Sequence, residues 1–284
     1  MGPKRQQLAE ALRVHREHAG LSTSRLAEKL GWSQSKVSKL ETGRTRPRPA
    51  DVAAWCNALG VPVDRLNELI RLADEASVEA RSWRAVYAAA DGVAARQSAY
   101  RALDERAVRV AIFQPVIVPG QVQTPAYARR VFELFGASPD EAEQAAAARI
   151  ERQSVLYNAG KRFDFLITEG ALRLRVGSTD VLRAQYDRLS SVAGLSNVTL
   201  GIIPMDAPAV ALPLNSFVLR EFADGPPAVT VETLTAEISV TNDEDVDRYR
   251  DVLAKYQGVA VFGSAVDDVL RHLSGAVGVP VEKL

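Results

Sequence analysis

The chain has 284 residues, 47% hydrophobic and 25% charged, a globular composition that excludes a disordered or collagenous chain. Its 35 Lys and Arg balance 35 Asp and Glu, but residues 1–48 hold 11 cations against 4 anions and the remainder 24 against 31, a basic head on an acidic body. The longest apolar runs, such as Ala209 to Leu214, are far too short to span a bilayer, which argues against a membrane partner.

Leu8, Ala11 and Leu12 recur at helical spacing and predict a first helix from Arg5 to Ala19, stopped by Gly20. Ser22 caps a second, Thr23 to Leu30, with Leu26, Ala27 and Leu30 inward and Gly31 closing it. Ser33 caps a third, Gln34 to about Glu41, whose Val37 and Leu40 lie three apart and share the inner face. Two short helices about a tight glycine-containing turn make a helix-turn-helix. The outer face of the second helix then carries Gln34, Ser35, Lys36, Ser38 and Lys39. Glutamine pairs bidentately with adenine and lysine reaches guanine acceptors, so Gln34, Ser35, Lys36 and Lys39 are the expected base contacts on double-stranded DNA. Arg44, Arg46 and Arg48 alternate along a proline-stiffened strip suited to phosphates, with strong salt dependence. Helices over Ala50 to Leu59 and Asp64 to about Ala76 complete a five-helix core.

The run Leu21-Ser-Thr-Ser-Arg-Leu-Ala-Glu-Lys-Leu-Gly-Trp-Ser-Gln-Ser-Lys-Val-Ser-Lys-Leu-Glu-Thr-Gly-Arg-Thr-Arg-Pro resembles the lambda-repressor-like helix-turn-helix family of xenobiotic-response-element type. The resemblance implies that Gln34, Ser35, Lys36 and Lys39 face bases. It also implies that Thr23, Ser38 and the loop after Gly43 touch phosphates, and Ser33 is assigned with that set.

Residues 77–112 read as a helical connector, Val78 to Ala90 and then Val93 to Val110. Pro115 and Pro119 bar a helix through the next stretch. Helices are expected from Pro125 to Phe135 and from Ser138 to about Asn158. A strand over Phe163 to Thr168 follows, with Leu172 to Arg175 continuing it or starting a short element. Then come a helix from Ser178 to about Gly194, a strand over Asn197 to Ile203, a hairpin of Ser216 to Phe222 with Ala228 to Thr233, and helices from Asp243 to Tyr256 and Gly263 to Leu273. The predicted class is α+β: an all-α five-helix domain over residues 1–76, the connector, and a mixed α/β domain over 113–284 for dimerisation and for binding a partner or ligand.

This second part also resembles a known domain. Val118-Pro-Gly-Gln-Val-Gln-Thr-Pro-Ala-Tyr-Ala128, Arg149-Ile-Glu-Arg-Gln-Ser-Val-Leu156, Thr168-Glu-Gly-Ala-Leu-Arg173 and Asn197-Val-Thr-Leu-Gly-Ile-Ile-Pro204 are similar to a domain of unassigned function. That domain follows a helix-turn-helix in actinobacterial regulators related to the WhiJ type, where Gln121 here replaces the usual Leu. The resemblance implies pairing with a small protein encoded nearby, and an antitoxin-like or developmental role.

Catalytic signals are sparse. His15 and His18 stand at i, i+3 on the first helix with no further ligands, so no metal or cofactor is expected. Cys56, the one cysteine, falls on an inner helix face as a buried thiol and permits no intrachain disulfide. Together with an N-terminus that lacks an apolar segment behind its charges, it predicts a cytoplasmic protein. Gln123, Tyr127, Arg149, Arg152, Gln153, Glu169 and Glu232 are candidates either for an internal ion-pair network or for a ligand or partner pocket. The expected function is a dimeric, non-enzymatic transcriptional regulator controlled by a small protein partner. The alternatives are an antitoxin that sequesters a small toxic protein and a metabolite-sensing repressor.

Overall fold

The computed structural model describes residues 3–45, 47–83 and 92–277. Its contacts divide the chain into two compact units, Met1–Ala80 with Ile238–Asn242, and Arg81–Glu237 with Asp243–Leu284.

The first unit holds α1 (Pro3–His18), α2 (Thr23–Leu30), α3 (Gln34–Glu41), α4 (Pro49–Leu59) and α5 (Val63–Ser77). The breaks are set locally. Gly31 adopts φ 65°, a left-handed conformation that a β-carbon disfavours, and its N–H closes the end of α2. The Ser22 and Ser33 hydroxyls accept from the backbone N–H groups of Arg25 and Lys36, at 3.2 and 3.1 Å, and so start α2 and α3. The helices bury Leu8, Leu12, Leu26, Val37, Leu40, Val52, Trp55 and Leu69 in one core. At about 1.5–3 kcal/mol for each large apolar side chain, that core rather than helix propensity holds these short helices. Burial also pushes the Cys56 thiol up to about 11.

The second unit is built on a mixed sheet. Its parallel centre is β2 (Ala107–Gln114), β3 (Arg162–Thr168) and β4 (Val198–Ile203). Beside β2 runs antiparallel β5 (Phe217–Phe222), hairpinned to β6 (Ala228–Glu232) with Phe217 opposite Val231. With β8 (Val261–Phe262), the second unit's strand order is β6-β5-β2-β3-β4-β8, and β1 (Val78–Ser82) and β7 (Ala236–Val240) each span a boundary between the two units in sequence. The crossovers and flanks are α6 (Val93–Arg106), α7 (Pro125–Leu134), α8 (Pro139–Arg152), α9 (Glu169–Arg173), α10 (Thr179–Ala193), α11 (Asp243–Gln257) and α12 (Ser264–Ala276). The architecture is α+β, with five helices over residues 3–77 and a mixed sheet with helices around it in the second unit.

Several expected elements are corrected. The helix placed over Val93 to Val110 stops at Arg106, and Ala107 opens a strand. The run Val110-Ala-Ile-Phe113 is buried in the middle of the sheet, and such a strand has no alternation to separate it from a helix. The helix expected over Val78 to Ala90 begins as β1, and residues 84–91, with Val86 and Tyr87, lie outside the described residues. The helix from Ser138 ends at Arg152 and tightens into a 3-10 turn, Gln153–Tyr157. Residues Leu172 and Arg173 belong to the short helix α9, while β7 and β8 carried too short a pattern to be predicted.

Candidate nucleic-acid interface and buried polar centre

Val37 and Leu40 are buried at 0% and 1% exposure, which turns the opposite side of α3 outward. Gln34, Ser35 and Lys39 are exposed there. The Gln34 amide nitrogen donates to the Thr23 hydroxyl at 3.2 Å, tying the start of α3 to the start of α2. Ser33 spends its hydroxyl as the cap of α3, and Ser38 is half-buried. Arg44 and Arg48 are exposed, and Arg46 lies outside the described residues.

Lys36 departs from the expected outward row. Its ammonium donates to Asp51 Oδ1 at 2.7 Å and lies 3.7 Å from the centre of the Trp32 ring. Asp51 caps α4 through the Arg48 N–H, so Lys36 ties α3 to the start of α4. Helical geometry explains it: one residue before Val37, Lys36 sits on the flank of the buried face.

A residue that sequence reasoning left aside completes this scaffold. Glu41, at the end of α3, accepts from Arg16 Nε at 2.5 Å and Nη2 at 3.0 Å, while Arg16 Nη1 donates to the Leu21 carbonyl at 2.7 Å. One guanidinium thereby joins α1, the loop before α2, and α3. The sequence pattern marked Glu41 only as the end of the third helix.

In the second unit the seven candidate pocket residues do not form one site. Gln123, Arg149 and Gln153 gather around the turn before α7. Arg149 Nη1 donates to Gln123 Oε1 at 2.6 Å, and the Gln153 amide donates to the Gln123 carbonyl at 2.7 Å. Tyr127 is beside them, its hydroxyl accepting from Val118 N–H at 3.3 Å and pushed up to about 12 by burial. Gln185 accepts from Thr124 N–H and donates to the Val122 carbonyl, and Arg188 donates to Gln153 Oε1. Glu169 is elsewhere: Met205 N–H and Arg173 hold it, and they outweigh its burial to keep its carboxyl below the usual range.

Arg152 and Glu232 belong to a second cluster. Asp104, fully buried, accepts from Arg152 Nη2 and Arg220 Nε, each at 2.8 Å, and Arg152 also reaches Gln97 at 3.4 Å. Burial alone would raise the Asp104 carboxyl, but the two guanidinium groups outweigh it and hold it below its ordinary value. The Tyr100 hydroxyl lies 2.9 Å from Glu232 and 2.5 Å from Glu237, and Arg96 pairs with Glu237. Burial, then the two carboxylates, push that phenol strongly up. Gln97, Tyr100 and Asp104 fall at i, i+3 and i+7 on α6, so a polar stripe at helical spacing was the one signal for this centre.

Among the described residues no group of three or more His, Cys, Asp or Glu is placed to hold a metal ion. Burial, Arg65 and His18 lower the His15 imidazole. No described helix is long and apolar enough to cross a membrane.

Residues 7–69 match a helix-turn-helix domain, a span that runs from α1 into α5. Residues 97–272 match the domain of unknown function DUF5753. The chain belongs to the DUF5753 family. The family's span begins inside α6 and takes in Gln97, Tyr100, Asp104, Arg152, Arg220, Glu232 and Glu237, so the acid–arginine centre lies within the DUF5753 domain except for Arg96, one residue before it. No curated protein matches the chain. Among solved structures, one similar chain is TrmBL2, an archaeal chromatin protein described as showing a novel mode of DNA binding. It is 12% identical over 90% of this chain and 99% of that one, with a TM-score of 0.30.

Proposed function

We propose that this protein is a sequence-specific transcriptional regulator whose helix α3 enters the major groove of DNA. The observation that carries the reading is the two-sided construction of α3, anchored by Val37 and Leu40 from behind and exposing Gln34, Ser35 and Lys39. A single recognition helix reads few base pairs, so the regulator acts as a homodimer on paired half-sites about 34 Å apart. Thr23, Ser33, Ser38, Arg44, Arg46 and Arg48 would hold phosphates. Lys36, committed to Asp51 and Trp32, would orient the helix more than read a base.

The DUF5753 unit receives the signal, from a small protein partner encoded nearby. We read it as a binding unit, not an enzyme: its acids and arginines satisfy one another, which suits a scaffold more than a reacting site. Selection of bound duplexes from a randomised pool tests the DNA reading. Wild-type protein should enrich a two-part site. Gln34→Ala and Lys39→Ala should each relax preference at particular positions, by about 1–3 kcal/mol per lost base contact. Unchanged enrichment in both variants would assign recognition to another surface.

A further inference from the structure

A concave pocket of about 420 Å³ opens in the second unit between α7 and the loop leading into α10. Arg129 and Arg130 line it from α7 and Arg175 from the loop, together with the apolar side chains of Ala126, Val176 and Val181. No carboxylate lines it, although the chain beyond residue 48 carries more acids than bases. Arg129 and Arg130 share one acid, Glu133, at 3.8 and 2.8 Å, and Arg129 has Glu143 at 3.8 Å. Arg175 has no ion-pair partner among the described residues.

Three like charges lining one cavity repel one another, and the acids paired with two of them offset this only in part. An anion in the cavity would supply the missing charge. Guanidinium forks match phosphate oxygens bidentately, and the volume falls in the range of small-molecule sites. The Ser178 hydroxyl at the pocket edge is already committed to Val181 N–H at 3.4 Å, so recognition rests on the arginines and not on the helix end. We propose that this pocket binds a small, multiply charged phosphorylated ligand. Its concavity and small volume favour a metabolite over a DNA backbone, which is tracked by a more extended strip of contacts.

The test is calorimetric titration of the full chain, without DNA, by pyrophosphate at low ionic strength. It is independent of the DNA reading, since α3 takes no part. Wild-type protein should show one saturable site per chain. Arg175→Gln should weaken it about tenfold, the effect of one lost charge-assisted contact, with thermal unfolding unchanged. Arg271→Gln, at an exposed arginine paired with Asp268, should leave it unchanged. No saturable heat, or equal affinity in wild type and Arg175→Gln, would overturn the proposal. So would an equal loss in Arg271→Gln, which would show a diffuse charge effect. Displacement of pyrophosphate by duplex DNA from a Gln34→Ala, Lys39→Ala chain would assign the pocket to nucleic acid and overturn it as well.

Discussion

Arg220 Nε donates to Asp104 Oδ1 across 2.8 Å, joining residues 116 positions apart whose side chains are 2% and 0% exposed. Arg152 holds the other carboxylate oxygen. One acid thus links α6, α8 and β5 inside the second unit. Such a centre contributes little net energy as a whole, yet breaking it leaves buried charges without partners.

Asp104→Ala should therefore destabilise the second unit by about 3–5 kcal/mol, with Asp104→Asn milder because it keeps the shape. The pH dependence has a definite sign. A carboxyl held below its ordinary value contributes fully above the unfolded value, about 3.9, and the contribution is lost as pH falls through the folded value. Urea unfolding on acidification should show a falling midpoint for the wild type and a shallower fall for Asp104→Asn. Parallel curves would remove the acid from this role.

The exposed arginines after α3 should act on affinity and not on sequence choice. Arg44→Ala and Arg48→Ala should weaken binding to every duplex alike and flatten the salt slope by about one unit each. Fluorescence anisotropy over a range of salt concentrations on two unrelated duplexes reads both effects. A change confined to one duplex would make these residues sequence readers.

Glu41→Ala strands the Arg16 guanidinium, whose pair with Glu41 is 11% and 6% exposed. The first unit should lose about 2–3 kcal/mol. Because the pair also fixes α3 against α1, DNA affinity should fall even at temperatures where the unit stays folded. Thermal unfolding and binding measured together check this; full stability in the variant would contradict it.

Gly201 on β4 has no room for a side chain. An added Cβ would stand 2.5 Å from Phe262 Cε1 and 2.8 Å from Leu166 Cδ2. Gly201→Ala should cost about 1–3 kcal/mol through overpacking. Adding Phe262→Leu should recover part of that loss in a double-mutant cycle. Additive losses would mean that the ring is not the obstacle.

The helix-turn-helix is written in local chemistry. Its caps, Ser22 and Ser33, its glycine stops and its apolar spacing act within a few residues, so the outline of α2 and α3 stands in the letters. The hairpin of β5 and β6 and the helices started by Thr124, Ser138 and Ser178 were legible for the same reason. Other features depend on contacts between segments distant in the chain. The strand over Ala107–Gln114 is a strand because β3 and β5 flank it, and Lys36 turns aside because Asp51 and Trp32 wait there. The grouping of Asp104, Arg152 and Arg220 could not be seen beforehand. The direction of a charged side chain is settled by a partner that only the folded chain brings within hydrogen-bond distance, and no local pattern encodes a partner more than a hundred residues away.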